Sequence, residues 1–210
     1  LPYDRYSPLP DLVSERIATL SRLPAMRSGV LLVGSETLLQ RLPPLHYIAG
    51  RAFDLAVGEK FSMARVSEQL AMAGYSHVAQ VGVPGEFAMR GSLFDVFPMG
   101  HHAPLRIDLL DEEIDSIREF DPESQRSLEK LERVRLLPAR EIPLDEEGCK
   151  GFRRRFRIRF EGDPTRAPVY RDIRPGSAPP GVEFYLPLFF DGTATLFDYL
   201  PAGAVLATDK

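Results

Sequence analysis

The sequence predicts an α/β layer into which a separate α+β domain of antiparallel strands is inserted. Two apolar segments, residues 30–33 and 203–208, have the pattern of strands buried on both faces, as in a parallel sheet. Between them, short strand-like segments follow one another from residue 77 to residue 137 with turns and no crossover helices, which favours an antiparallel meander. We therefore assign residues 1–51 and 138–210 to two parts of the α/β domain and residues 52–137 to the inserted α+β domain.

The first α/β part begins with a predicted helix between Pro10 and Pro24, with Asp11 placed to cap its amino end. Its apolar positions recur at helical spacing and form one face: Val13, Ile17 and Leu20. The predicted strand at residues 30–33 is followed directly by a second short helix over residues 36–41. A buried strand followed by a helix is the unit from which parallel α/β layers are built.

The inserted domain begins with a predicted strand over residues 52–57 and a helix that Ser62 caps and Gly74 ends. Further strands are predicted over residues 77–83, 87–99, 105–110, 113–120 and 131–137. One helix covers only one face of such a sheet, so the other face is left to solvent. After Pro138, the sequence predicts a helix over residues 146–160 and then a Pro/Gly-rich stretch.

Composition limits the functions open to the chain. Its 210 residues contain 26 Lys and Arg against 30 Asp and Glu, so a net charge of -4 gives no general attraction for nucleic acid. The single Cys149 cannot form an intrachain disulfide, and no apolar run approaches the ~20 residues of a membrane span, so we expect a cytoplasmic protein without membrane contact. Because the sequence starts without Met, we treat it as a piece of a longer protein.

The sequence predicts no catalytic residue, metal ligand or cofactor site. A glycine-rich phosphate loop ending in Gly-Lys-Ser/Thr is absent from the sequence. We interpret Cys149 as a buried structural thiol, and the adjacent His101 and His102 as an exposed turn pair that is poorly arranged for one metal ion. Five acidic residues flank a hairpin turn, where we expect them to keep the turn solvated: Asp108, Asp111, Glu112, Glu113 and Asp115.

A run of arginines in the last predicted helix has two interpretations. Phenylalanines recur every fourth residue at 152, 156 and 160, which favours an amphipathic helix whose arginines form the solvated face. The alternative is a DNA-binding module that uses the basic helix from Arg153 to Arg159.

One face of the predicted sheet has the composition of a protein-binding patch. Strand alternation puts Arg106, Asp108 and Leu110 on one side, and Arg90 stands at the entrance of the strand predicted before them. An arginine beside an exposed apolar residue is typical of protein interfaces. The alternative is that Arg106 forms a surface ion pair with Asp108 or Glu119.

Three stretches resemble bacterial transcription-repair coupling factors: residues 1–8, 85–98 and 106–121. The second contains the pattern Arg90-Gly91-x-x-x-Asp95-x-Phe97-Pro98, and the third contains Glu113-Ile114-Asp115-Ser116-Ile117. The corresponding part of those factors is their amino-terminal part, which is similar to the excision-repair protein UvrB. The resemblance extends through essentially the whole chain.

The resemblance implies a partial, degenerate helicase-like (UvrB-like) α/β domain with an inserted UvrA-binding domain. It also implies a noncatalytic adaptor that recruits UvrA to RNA polymerase stalled at DNA damage. The contacts that it implies for UvrA are Arg90, Arg106 and Leu110, with Gly91 and Asp108 beside them. UvrB-like proteins commonly carry an aromatic residue at the position of Leu110, so this chain keeps a smaller apolar contact there.

The same resemblance assigns other activities to parts of such factors outside this chain. The ATP- and magnesium-dependent motor that acts on double-stranded DNA lies elsewhere, and no cofactor is expected in this fragment. A carboxy-terminal domain of the same polypeptide is expected to cover the UvrA-binding surface at rest. The damage-probing tyrosine hairpin of UvrB has no counterpart between Val33 and Ala52, so damage verification is not transferred.

Overall fold

A computed structural model describes residues 6–207 of the protein. Residues 1–5, which carry most of the first resembling stretch, and residue 208, the end of the last predicted strand, lie outside the described residues. Helices and antiparallel sheets are mixed within the described part, which confirms the α/β class.

In the described part of the chain, four helices precede the main sheet. They are α1 (Pro10–Arg22), α2 (Ser35–Leu38), α3 (Leu45–Arg51) and α4 (Met63–Met72). Helix α1 begins two residues earlier than a cap at Asp11 predicts: Leu9 is its N-cap and makes no side-chain capping bond, and Asp11 lies in the first turn. The prediction for α4 is confirmed, because the Ser62 side chain accepts a hydrogen bond from the Arg65 amide and Gly74 follows with a φ of +90°.

Between the sheet and residue 207, three further helices follow: α5 (Glu146–Arg159), α6 (Pro168–Asp172) and α7 (Leu196–Tyr199). Short 3-10 helices occur at Leu23–Ala25, Pro164–Arg166 and Val182–Leu188. Helix α5 matches its prediction closely, and the Asp145 side chain caps it by accepting a hydrogen bond from the Gly148 amide at 2.7 Å.

The strands of the described part all lie between residues 53 and 136. They are β1 (Phe53–Ala56), β2 (Ser76–His77), β3 (Glu86–Arg90), β4 (Leu93–Val96), β5 (Leu105–Leu110), β6 (Glu113–Phe120), β7 (Ser127–Leu131) and β8 (Arg133–Leu136). Strands β2 to β7 form a six-stranded sheet in sequence order, antiparallel except for the β2–β3 pair, and β1 pairs with β8 in a separate antiparallel ribbon. The predicted meander is therefore present, while the domain boundaries stay a prediction.

The predicted strand over residues 87–99 is wrong, because the chain turns back within it. Gly91 has a φ of +61° and joins β3 to β4 in a tight hairpin, in which Arg90 pairs with Leu93. Apolar residues occupy most positions of the two strands, so the alternation alone did not reveal the reversal. The predicted strand over 77–83 is also shortened to β2, and the strand predicted over 131–137 is replaced by β7 and β8.

The predicted parallel layer is not formed by the described residues. Residues 30–33 form no strand: Leu31 and Val33 pack on a buried cluster, whereas Leu32 is 90% exposed. Residues 204–207 form no strand either, and Val205 is 92% exposed. Both segments have the apolar pattern of central strands, but within residues 6–207 no neighbouring strand covers them.

The main core lies between one face of the six-stranded sheet and the helices α4 and α1. Val66 and Leu70 of α4 and Ile17 of α1 are buried there against residues of the inner strands, including Phe94 and Ile107. The Ser14 hydroxyl of α1 accepts a hydrogen bond from the Gly100 amide at 2.7 Å, which fixes α1 to the loop after β4. The opposite face of the sheet is covered only in part, because Ala88 and Phe120 are buried there with Val81 of the loop after β2, whereas Leu110 on the same face is exposed.

Within residues 6–207, two further buried clusters involve the helices before and after the sheet. Helix α5 packs through Phe152 and Phe156 on the segments that follow it. A third cluster joins the end of α1 to α3 and α7, with Leu20, Tyr47 and Tyr199 buried. Helix α1 thus contributes to two clusters and links the sheet to the α-helical part.

Candidate partner-docking face of the sheet

The sheet face that does not contact α4 carries an unusual number of charged side chains. Strand register places Asp95 of β4 beside Ala88 of β3 and Arg106 of β5, and places Arg106 beside Arg118 of β6. Because side chains alternate along a strand, Arg90 and Asp108 lie on this face as well. We call Arg90, Asp95, Arg106, Asp108 and Arg118 together the arginine face.

Asp95 is the centre of the arginine face. Only 1% of this residue is exposed, and its carboxylate accepts hydrogen bonds from two arginines. Arg90 Nη2 lies 2.6 Å from Oδ2, while Arg106 binds both carboxylate oxygens, with Nε 2.8 Å from Oδ1 and Nη2 2.8 Å from Oδ2. These charge-assisted bonds are what makes a buried carboxylate tolerable at this position.

Arg106 is held from several sides. Besides its two bonds to Asp95, Nη2 donates to Gln125 Oε1 at 2.8 Å, and the guanidinium carbon lies 4.3 Å from the centre of the Phe120 ring. Its side chain is only 15% exposed. The hydrogen bond to Asp95 is the main reason that the pKa of Arg106 is raised above its ordinary value. The alternative interpretation, a surface ion pair of Arg106 with Asp108 or Glu119, is therefore wrong, because the partner of Arg106 is Asp95.

A second ion pair lies next to the first. Asp108 accepts hydrogen bonds from the Ser116 hydroxyl at 2.8 Å and from Arg118 Nη2. Arg118 Nε is buried and has no hydrogen-bond partner among the described residues. Asp108 thus neutralises Arg118 on the neighbouring strand and is not directed at Arg106.

Leu110 ends β5 at the edge of the arginine face and is 67% exposed. The hairpin turn follows it directly, with Asp111 at a φ of +55°. The loop before α4 supports this turn: the Phe61 amide donates to Glu112 O at 2.7 Å and the Gly58 amide to Ile114 O at 2.9 Å. Leu110 is therefore an exposed apolar side chain on a supported backbone.

The structure places the predicted binding residues on one sheet face with unequal exposure. The side chain of Arg90 is 47% exposed and that of Arg106 far less, and Gly91 forms the turn beside Arg90. Sequence reasoning missed Asp95 as the residue that joins the two arginines. The available signal was an acidic residue in a strand that is otherwise apolar. No sequence pattern pointed to Gln125.

The other candidate residues have structural roles. Cys149 is buried, and burial raises the pKa of its thiol, which disfavours the reactive thiolate. In α5, Arg153 Nη2 donates to Ile173 O at 2.6 Å, and Arg155 Nη2 pairs with Asp191. The arginines that a DNA-binding helix needs are thus partly used within the fold, which favours the amphipathic-helix interpretation.

Neither metal-binding clusters nor membrane-spanning helices occur in residues 6–207. No group of three or more His, Cys, Asp or Glu residues in this part is arranged to hold a metal ion. No helix in the same part is long and apolar enough to cross a membrane.

His101 is partly buried while His102 is exposed, so the expectation of an exposed pair is wrong for His101, and its burial predicts a pH dependence of stability. Burial is the largest cause that lowers its pKa below the ordinary 6.5, with Glu119 opposing the shift and His102 adding to it. Between this lowered pKa and 6.5 the unfolded chain binds more protons than the folded chain, so stability falls as the pH decreases. At pH 5.5, which is one unit below the ordinary pKa of 6.5, the protein has lost at most about 1.4 kcal/mol of its free energy of unfolding at pH 7.5 through this group.

Urea unfolding at pH 7.5 and pH 5.5 measures this effect. His101→Gln should lose less stability than the unsubstituted chain over this range, whereas the exposed control His102→Gln should lose about as much. Equal losses in all three proteins would contradict a lowered pKa at His101.

Comparison with known proteins identifies the sheet unit. Residues 53–142 match the family of the UvrB interaction domain, and this segment contains the whole arginine face, Leu110 and Gln125. The six-stranded sheet and its flanking segments are therefore similar to the UvrB interaction domain over these residues. Over nearly its whole length the chain is similar to transcription-repair-coupling factors, which confirms the resemblance seen in the sequence.

The similarity covers the chain but only a small part of each relative. The transcription-repair-coupling factor of Escherichia coli (strain K12) is 44% identical over 207 residues, which are 98% of the chain and 18% of that protein. The factor of Haemophilus influenzae is 43% identical over 203 residues, 96% of the chain and 18% of that protein. The factor of Myxococcus xanthus is 35% identical over 208 residues, 95% of the chain and 17% of that protein.

Proposed function

We propose that the chain is a noncatalytic adaptor module that docks UvrA through Arg90, Arg106 and Leu110 and so recruits UvrA to RNA polymerase stalled at DNA damage. Two findings support this proposal. The arginine face lies within the match to the UvrB interaction domain, and the similar proteins are named transcription-repair-coupling factors. The chain spans about 18% of the length of these relatives.

The observation that carries the proposal is the combination of Arg90 and Leu110 on one face of a rigid sheet. Arg90 presents about half of its side chain, and Leu110 presents most of its own. Arginines and apolar side chains that become buried together supply a large share of the energy of many protein interfaces. Neighbouring strands pair on both sides of β4 and β5, so the face needs little rearrangement on binding.

The proposal extends to the other partners of a whole coupling factor. RNA polymerase, double-stranded DNA, and a motor that uses ATP and magnesium are assigned to regions of the relatives that this chain does not match. A carboxy-terminal domain that covers the arginine face at rest is assigned in the same way. This chain contributes the docking surface alone.

A binding titration with purified UvrA tests the proposal. We expect Arg90→Ala and Leu110→Asp each to weaken binding at least tenfold, because each removes an exposed contact of the proposed interface. Arg90→Ala leaves Asp95 with its two bonds from Arg106, so the fold is retained. Reversing the charge of Arg106 is less informative, since it would place a second carboxylate against the buried Asp95.

Two matched controls separate docking from general effects. Arg65→Ala removes an exposed arginine from α4, on the opposite side of the sheet, and Ile158→Asp introduces an acid at an exposed apolar position of α5. Both should bind UvrA as the unsubstituted chain does. Unchanged affinity in both Arg90→Ala and Leu110→Asp would reject the arginine face as the docking site.

A further inference from the structure

Arg106 has little freedom left in the unbound protein. Its Nε and Nη2 groups bind Asp95 and Gln125, and its guanidinium lies over the Phe120 ring. Nη1 makes no hydrogen bond to residues 6–207 and so remains available for a partner. The arginine therefore presents one defined edge of its guanidinium, in an orientation that the fold fixes.

Gln125, which accepts a hydrogen bond from Arg106, has a strained backbone conformation. It lies in the loop between β6 and β7 with a φ of +60°, a conformation that residues other than glycine, asparagine and aspartate rarely adopt. Its side-chain Nε2 donates to Pro122 O at 2.8 Å, and this bond leaves Oε1 directed at Arg106. Strained backbone that persists in a fold is often found where a side chain must be placed for function.

We propose that Asp95 and Gln125 are positioning residues that hold Arg106, and through Asp95 also Arg90, in the orientation that docking requires. This inference rests on the proposed function and concerns how the same face works. A long side chain that must be immobilised on binding lowers the affinity, whereas one that is already ordered does not. Both positioning residues act through the arginines and have no need to touch UvrA.

The sign of one substitution separates positioning from simple attraction. Asp95 neutralises one of the two positive charges beside it, so Asp95→Asn raises the net charge of the arginine face by one unit. If the face worked only by attracting an acidic partner, this substitution would strengthen binding. If Asp95 positions the arginines, the same substitution weakens binding.

The experiment measures the affinity of Asp95→Asn and Gln125→Asn chains for purified UvrA, at a temperature where circular dichroism shows each to be folded. Asparagine tolerates the left-handed backbone at position 125 but is too short to reach Arg106. We expect each variant to bind about 3- to 10-fold more weakly. Gln80→Asn is the matched control, because Gln80 also donates to Pro122 O but makes no bond to Arg106, and it should bind normally.

A double substitution excludes a merely structural role. In a chain that carries Arg106→Ala, Gln125→Asn should change the affinity less than twofold, because no guanidinium is left to position. An equal loss in both backgrounds would overturn the inference. Wild-type or tighter binding by both Asp95→Asn and Gln125→Asn, with Arg90→Ala still weak, would overturn it as well while leaving the docking face intact. Normal binding by Arg90→Ala would instead reject the proposed function.

Discussion

Asp95→Ala should lower the free energy of unfolding by about 3–5 kcal/mol, because removing one partner of a buried ion pair leaves the other uncompensated. The Asp95 side chain is 2% exposed and Arg106 is largely covered, so water cannot replace the lost carboxylate. Arg106 would lose both bonds to its main acceptor, and Arg90 would lose its ion pair. Urea unfolding followed by circular dichroism measures the loss.

An exposed ion pair provides the control for Asp95→Ala. Asp54 and Arg135 pair at 3.3 Å across β1 and β8, with about half of each side chain exposed. Asp54→Ala should therefore cost less than about 1 kcal/mol. If the two substitutions cost the same, the carboxylate of Asp95 is not buried as described.

Phe152→Ala is the second substitution with a large expected effect, a loss of about 3–5 kcal/mol. Phe152 is fully buried, and its ring centre lies 4.8 Å from that of Phe189 and 5.7 Å from that of Phe156. Removal of the Phe152 ring leaves a cavity in the cluster around α5, where several aromatic rings pack against one another. The control is Phe160→Ala at the end of the same helix, where the residue is 37% exposed and the loss should be about 1 kcal/mol.

Amide hydrogen exchange provides a second measurement for Phe152→Ala, because the cavity lies in one of several separate buried clusters. The cluster around α5 is separate from the core beneath the six-stranded sheet. Amide hydrogen exchange should therefore accelerate in residues 146–189 more than in β3 to β6, and UvrA affinity should stay within twofold while the chain remains folded. Equal acceleration in the sheet would show that the two cores unfold as one unit.

Much of the fold follows from local sequence signals. The helix capped by Ser62 and ended by Gly74 was predicted correctly, because capping and a left-handed residue act over a few positions. The β5–β6 hairpin was also predicted, because its acidic turn separates two apolar segments. The helix over residues 146–159 was predicted from the regular spacing of its phenylalanines.

The errors occurred where a residue's environment depends on distant parts of the chain. Residues 30–33 and 204–207 have the composition of buried strands, yet burial requires neighbouring strands that the described residues do not supply. Gly91 permitted a hairpin that the apolar pattern of β3 and β4 did not indicate, because both faces of these strands are covered along most of their length. Without that hairpin, Asp95 could not be placed between Arg90 and Arg106.

The sequence by itself determined the mixed α/β class, the resemblance to coupling factors, and the alternation that sets Arg106 and Leu110 on one side of a strand. Only the tertiary structure decided that Arg106 is bound by Asp95 and Gln125 while Leu110 stays exposed. The physical reason is that a strand's period fixes the direction of a side chain, whereas its partners come from other strands and loops whose register is set by long-range pairing.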